Sequence, residues 1–150
     1  VTGTVIRRAV EADVGAVAAL LADDGIGASR ESADDLDPYL AAFARVDADP
    51  SELLVVAERD GVIVGTLQLS LLPGLSRRGA LRAQIEGVRI AGAARGAGLG
   101  ETLLRWAVDE ARRRGCVLVQ LTSDTRRTEA HRLYERLGFE ASHLGYKLPL

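Results

Sequence analysis

Three glycines at the mouth of an amphipathic helix constrain this chain more than any other feature. Residues 84–90 (QIEGVRI) read as a strand, and the segment 94–106 (ARGAGLGETLLRW) follows. Leu103, Leu104, Ala107, Val108 and Ala111 are spaced for one buried face of a helix over about 98–114. Glycine weakens such an element, so Gly96, Gly98 and Gly100 call for a reason. Without a Cβ, backbone N–H groups can approach a ligand closely. The start of a helix adds unpaired N–H groups and a partial positive charge, which together suit an anion such as phosphate. Arg95 brings a full charge to the edge of that site. The alternative is a tight turn with close helix packing.

Two phosphate motifs are excluded. A P-loop closes on Gly-Lys-Ser/Thr, whereas Gly100 is followed by Glu101 and Thr102. A dinucleotide fingerprint needs G-x-G-x-x-G, but counting from Gly96 and Gly98 the third position is Glu101.

The rest of the chain fits a mixed sheet with helices packed on it. Residues 4–10 read as a first strand. A helix over 13–21 follows, with Asp13 as N-cap, and a second helix over 35–46 has Pro38 in its first turn. The clearest hairpin is 53–59 with 62–72 around Asp60-Gly61. A polar loop at 73–79 leads to a fourth strand at 81–90. Residues 116–122 form a fifth strand with an apolar run suited to burial on both faces. Gly115 ends the helix before it, and Gly138 ends a helix over 127–137. Residues 139–150 read as one or two further strands.

The length of 150 residues suits one domain, spanning 1–150. Cys116 is the only cysteine, so no internal disulfide forms and a cytoplasmic protein is expected. No apolar run is long enough to span a bilayer, no signal-peptide pattern is seen, and no cluster has metal-ligand spacing. Charge is segregated: residues 1–60 hold 13 acids against 5 arginines, and residues 61–150 hold 14 basic residues against 8 acids. There is no aromatic-basic interleaving, which argues against a nucleic-acid partner.

Two blocks carry a family resemblance. Val88-Arg89-Ile90 followed by Arg95-Gly96-Ala97-Gly98-Leu99-Gly100 resembles the R-x-x-G-x-G acyl-CoA signature of the GNAT superfamily of N-acetyltransferases. Residues 130–139 (AHRLYERLGF) are similar to that family's later A-x-x-L-Y-E-x-x-G-F motif, beginning at Ala130. The resemblance implies an α/β fold of the α+β kind: a twisted, mostly antiparallel sheet of six to seven strands with about four helices, splayed between the fourth and fifth strands. It implies acetyl-CoA as co-substrate, without a metal, and a small-molecule or amino-acid-like primary amine as acceptor. It allows a homodimer and gives no membrane role. The diphosphate of acetyl-CoA is expected on the main chain of Arg95 through Gly100, and the pantetheine arm beside Val88–Ile90. Ser123 falls where relatives often contact pantetheine, although a turn or cap serine explains it equally. The family's usual proline and aromatic are missing from Ala91–Ala94.

The resemblance also implies catalytic roles. Glu86 matches the position of a general base, its alternative being an ion pair with Arg82 or Arg89. Tyr134 matches the general acid, its alternative being a place on the apolar stripe of Ala130, Leu133 and Leu137. Gly87 is expected to mark a bulge or simple sheet packing. His131 and His143 are weaker candidates for a base, read otherwise as surface or satisfied histidines, and Cys116 is read as a buried small hydrophobe. The acidic stretch 23–52, with Asp34, Asp35 and Asp37 beside Tyr39, is expected to attract a cationic amine or to be a solvated helix end. A non-catalytic acyl-CoA sensor or interaction module is the other class of function, with a nucleotide-binding protein behind it.

Overall fold

The computed structural model describes residues 3–150. The chain divides into two compact units, Val1–Gln120 and Leu121–Leu150.

The first unit is built on the sheet. Strands β1 (Thr4–Arg8), β2 (Glu52–Arg59), β3 (Val62–Leu72), β4 (Arg82–Ile90) and β5 (Leu118–Leu121) lie in sequence order, and the first four pair antiparallel. The β2–β3 hairpin turns on Asp60 and Gly61 with φ of 52° and 77°. Those left-handed residues match the twist of the strands they join. Between β3 and β4 lies the single turn α3 (Ser76–Gly79), in which Arg77 and Arg78 are left-handed.

Alternation along the strands sorts side chains to two faces. One face takes α1 (Val14–Ala22) and α2 (Asp37–Ala48), where Val14, Val17 and Phe43 pack with Val56 and Leu54. The other face carries Leu53, Leu67, Leu69, Ala83 and Ile85, all buried, and takes α4 (Leu99–Arg113) through Leu103, Leu104 and Ala107. The helix ends as Gly115 predicts: Gly115 N–H donates to Arg112 O and Cys116 N–H to Ala111 O, both at 3.0 Å.

Asp13 does not cap α1. Its carboxylate receives Arg7 Nη1 at 2.8 Å, Arg7 Nη2 at 3.0 Å and the Val10 N–H at 2.8 Å. A charged donor on the neighbouring strand wins over the helix's own N–H groups. The fifth strand is also corrected: β5 is four residues long and only half-buried, not covered on both faces.

In the second unit, α5 (Thr128–Arg136) closes with Gly138 N–H on Glu135 O and Phe139 N–H on Tyr134 O. The further strands expected at 139–150 are absent, so the described residues form five strands with five helices rather than six to seven with about four. Leu144, Tyr146 and Leu148 alternate as a strand would, yet each is at least four-fifths exposed. Alternation alone makes no strand without a partner for its backbone groups. No helix among the described residues is long and apolar enough to cross a membrane.

Candidate active site

β4 changes course at its centre. Gln68 faces Glu86 and Thr66 faces Arg89, so Gly87 and Val88 stand opposite Leu67 alone. The extra residue is a β-bulge, and Gly87 supplies its left-handed turn with φ of 61°. The bulge brings Glu86 and Arg89 to one face, the face of α1. β5 has four residues against nine in β4 and does not accompany β4 to its end.

Glu86 is exposed at the rim of a small hollow of about 70 Å³, walled by Val17, Leu21, Leu54, Gln68 and Gly87. Its Oε1 accepts a hydrogen bond from Gln84 Nε2 at 2.5 Å. Neither expected arginine pairs with it. Arg89 turns to Asp24, Nε to Oδ2 at 3.2 Å, and donates Nη1 to Val88 O. Arg82 donates to Gln120.

Past β4, one turn of 3-10 helix (Gly92–Ala94) leads into the glycine loop. Gly96 and Gly98 have φ of 81° and 79°, and a Cβ on either would meet nothing within 4 Å. Close helix packing therefore does not account for them; the left-handed backbone does, and the space above it is open. Thr102 makes the first main-chain bond of α4, to Gly98 O at 3.1 Å. Among the described residues, the N–H groups from Gly96 to Glu101 ahead of it donate to no main-chain oxygen. Arg95 braces the loop, with Nε on Ile90 O at 3.1 Å and Nη2 on Asp23 O at 3.3 Å.

A larger hollow of about 410 Å³ lies beside the start of α2, lined by Arg30, Ser32, Asp35 and Tyr39 among others. Asp35 is the one member of the acidic trio that lines it, and Tyr39 Oη accepts the Ser32 N–H at 3.0 Å. The candidate base and the glycine loop are not part of it.

The second unit holds Ser123, Ala130 and Tyr134. Ser123 Oγ is buried without a hydrogen-bond partner among the described residues, so it makes no cap hydrogen bond there. Tyr134 is half-buried on α5, its ring edge-on to Phe139 at 6.0 Å. His131 Nε2 shares a hydrogen bond with Asp124 O, and His143 Nδ1 one with Ser142 Oγ. The side-chain hydrogen bond from Arg126 holds the Asp124 carboxyl well below the usual range. In the first unit, burial pushes the Cys116 thiol up, which leaves it protonated and unreactive at neutral pH. No metal-binding cluster of His, Cys, Asp and Glu occurs among the described residues.

Sequence reading missed the polar surface around Glu86. Glu52, Gln68, Ser70, Gln84, Gln120 and Arg82 join it on one face, and Glu52 Oε2 accepts Gln68 Nε2 at 2.8 Å and Ser70 Oγ at 2.7 Å. The signal was there: R-x-Q-x-E along β4 and Q-x-S along β3 alternate as one polar face would.

A strand with a central bulge runs into a glycine loop whose N–H groups from Gly96 to Glu101 have no main-chain partner among the described residues, and that loop opens a long amphipathic helix. The pattern of the Acetyltransferase (GNAT) family matches residues 16–139, and the chain belongs to that family. It is 31% identical over 112 residues to the aminoalkylphosphonate N-acetyltransferase of Salmonella typhimurium, covering 75% of this chain and 72% of that protein. Over 90 residues it is 36% identical to the glucosamine 6-phosphate N-acetyltransferase of Trypanosoma brucei brucei, covering 60% and 59%. Its fold matches the crystal structure of a protein from Bacillus halodurans C-125, described as a transcriptional regulator, with a TM-score of 0.95, 44% identity and coverage of 98% and 99%.

Proposed function

We propose that this protein is an N-acetyltransferase that moves an acetyl group from acetyl-CoA to the primary amine of a small, amino-acid-like molecule. The observation that carries this reading is the run of N–H groups from Gly96 to Glu101 without main-chain partners, on a loop whose glycines face open space. Those groups and the positive end of α4 suit the diphosphate of the co-substrate. Arg95 adds charge beside them. Val88, Arg89 and Ile90, past the bulge, offer main chain to the pantetheine arm; the family resemblance assigns Ser123, whose hydroxyl has no partner among the described residues, to the same arm. The residues present fit the co-substrate.

The acceptor arrives as an ammonium, with a pKa near ~10.4 for an alkyl amine. Glu86 takes its proton, directly or through water. The freed nitrogen attacks the thioester carbonyl carbon, the C–S bond breaks, and the second N–H proton passes through solvent to restore the phenol that Tyr134 spends on the thiolate, while the proton held by Glu86 is released. Tyr134, assigned by its motif, gives its phenolic proton to the departing thiolate. The sum is an amide, coenzyme A thiol and one released proton. Main-chain N–H near Val88 polarises the carbonyl. The names of both curated relatives join an amine to a phosphorus oxyacid, which supports a small polar acceptor. The lone cysteine and the co-substrate favour the cytoplasm.

One observation favours a second reading. The Bacillus halodurans relative is described as a transcriptional regulator, which suits an acyl-CoA sensor without turnover. Thiol release from acetyl-CoA across an amine panel separates the two. Release that Glu86→Gln and Tyr134→Phe suppress supports the enzyme. Tight coenzyme A binding with no release on any amine supports the sensor.

A further inference from the structure

Arg82, Gln84 and Glu86 lie two residues apart on β4 ahead of the bulge, so they share one face of the sheet. A chain of side-chain hydrogen bonds connects them. Arg82 Nη1 donates to Gln120 Oε1 at 3.0 Å, Gln120 Nε2 to Gln84 Oε1 at 2.9 Å, and Gln84 Nε2 to Glu86 Oε1 at 2.5 Å. An arginine only donates and a carboxylate only accepts, so both amide orientations are fixed by the ends. The chain begins on a cation and ends on an anion.

Arg82 is half-buried, and no carboxylate lies within ion-pair distance of it among the described residues. Arg89 on the same strand, by contrast, is paired with Asp24. Among the described residues, only one of the five N–H donors of Arg82 is engaged, by a neutral amide. Negative charge gathers away from it. Glu86 sits at the hollow, and Glu52 lies two strands across, with one oxygen held by Gln68 and Ser70. This face therefore presents an anion-binding group and a cation-binding group, separated by two amide side chains.

We propose that the acceptor is a zwitterion: its ammonium goes to Glu86, and its oxyanion, a phosphonate, phosphate or carboxylate, is received by the guanidinium of Arg82. The planar fork of arginine matches the paired oxygens of all three. Arg82 is thus a specificity residue, and the Glu86–Arg82 gap sets the preferred distance between amine and anion. This rests on Glu86 as the base.

The test is thiol release from acetyl-CoA on unbranched amines of graded length ending in phosphonate, in carboxylate or in hydroxyl. The anion-bearing chains are expected to exceed the hydroxyl chains in kcat/KM by at least about tenfold, with an optimum length. The phosphonate and carboxylate arms tell which oxyanion fits. Arg82→Gln lowers the anion-to-hydroxyl ratio by at least about tenfold, and Arg82→Glu turns the preference toward diamines. Thermal melts check that both variants fold. Equal use of hydroxyl and anionic chains, or an Arg82→Gln variant that lowers both alike, overturns the proposal. Glu86→Gln lowers kcat on every series and keeps the ratio, so a failure of the base leaves a different mark. If no amine is turned over, calorimetry of an aminoalkylphosphonate with coenzyme A present decides for Arg82. Weakening of at least about tenfold in Arg82→Gln supports it, and unchanged affinity or no binding to the wild type overturns it.

Discussion

Arg89 Nε stands 3.2 Å from Asp24 Oδ2, with both side chains only 12% exposed. This pair joins the strand beyond the bulge to the segment that follows α1. Breaking it by Asp24→Asn leaves a buried guanidinium without its charge partner, at a cost of about 3 kcal/mol. The pair Asp24→Leu with Arg89→Met costs less than either change alone. Urea unfolding of Asp24→Asn, of the Asp24→Leu and Arg89→Met single variants and of their double measures this; additive losses in the double would contradict it.

Gly98 needs its left-handed backbone, with φ of 79°, and no neighbour crowds it. Gly98→Ala therefore costs about 1–2 kcal/mol of stability from backbone strain alone. Its effect on the co-substrate is larger, because the methyl group enters the open space over the loop. The KM for acetyl-CoA rises at least about tenfold while the acceptor KM stays close to wild type. Steady-state kinetics in both substrates reads this split, and equal changes in both would speak for general loosening.

The Glu86 carboxylate is one hydrogen bond from Gln84 and open to the hollow. Glu86→Gln keeps the shape and removes the base, so kcat falls by about a hundredfold or more. A variant that keeps kcat would assign the base elsewhere. Tyr134→Phe keeps the ring against Phe139 and removes the phenolic hydroxyl; a kcat loss far larger than the change in melting accounts for supports the acid's role, and a loss that follows the melting contradicts it.

The fold was legible where local chemistry decides it. The Asp60-Gly61 turn, the stripe of α4 and the closing glycines at 115 and 138 each depend on a few neighbouring residues. What escaped depends on partners distant in sequence. Residues 144–150 alternate like a strand, but pairing decides whether they are one. The bulge turns Arg89 to the face of Glu86, yet Asp24, brought close by the end of α1, takes the arginine instead. The partner of Arg82 is Gln120, which only the sheet order places beside it.

Asp13 gives the fold an acid-sensitive tie. Side-chain hydrogen bonds from Arg7 hold its carboxyl below the usual carboxylate range, helped by the Val10 N–H and opposed by burial. A lowered folded value means the stabilisation is complete above the unfolded value, near 3.8, and is lost as pH falls through the folded one. Asp13→Asn loses about 2 kcal/mol at neutral pH and flattens the acid limb of stability. Urea midpoints of wild type and variant from neutral to acid pH measure it; parallel curves would remove Asp13 from the account.

The most direct test of the central claim follows the backbone amide resonances of Gly96 through Glu101 while coenzyme A is added. The account predicts that these resonances move most in the first unit and that their exchange with water slows on saturation. Saturable binding that leaves them unmoved would contradict it.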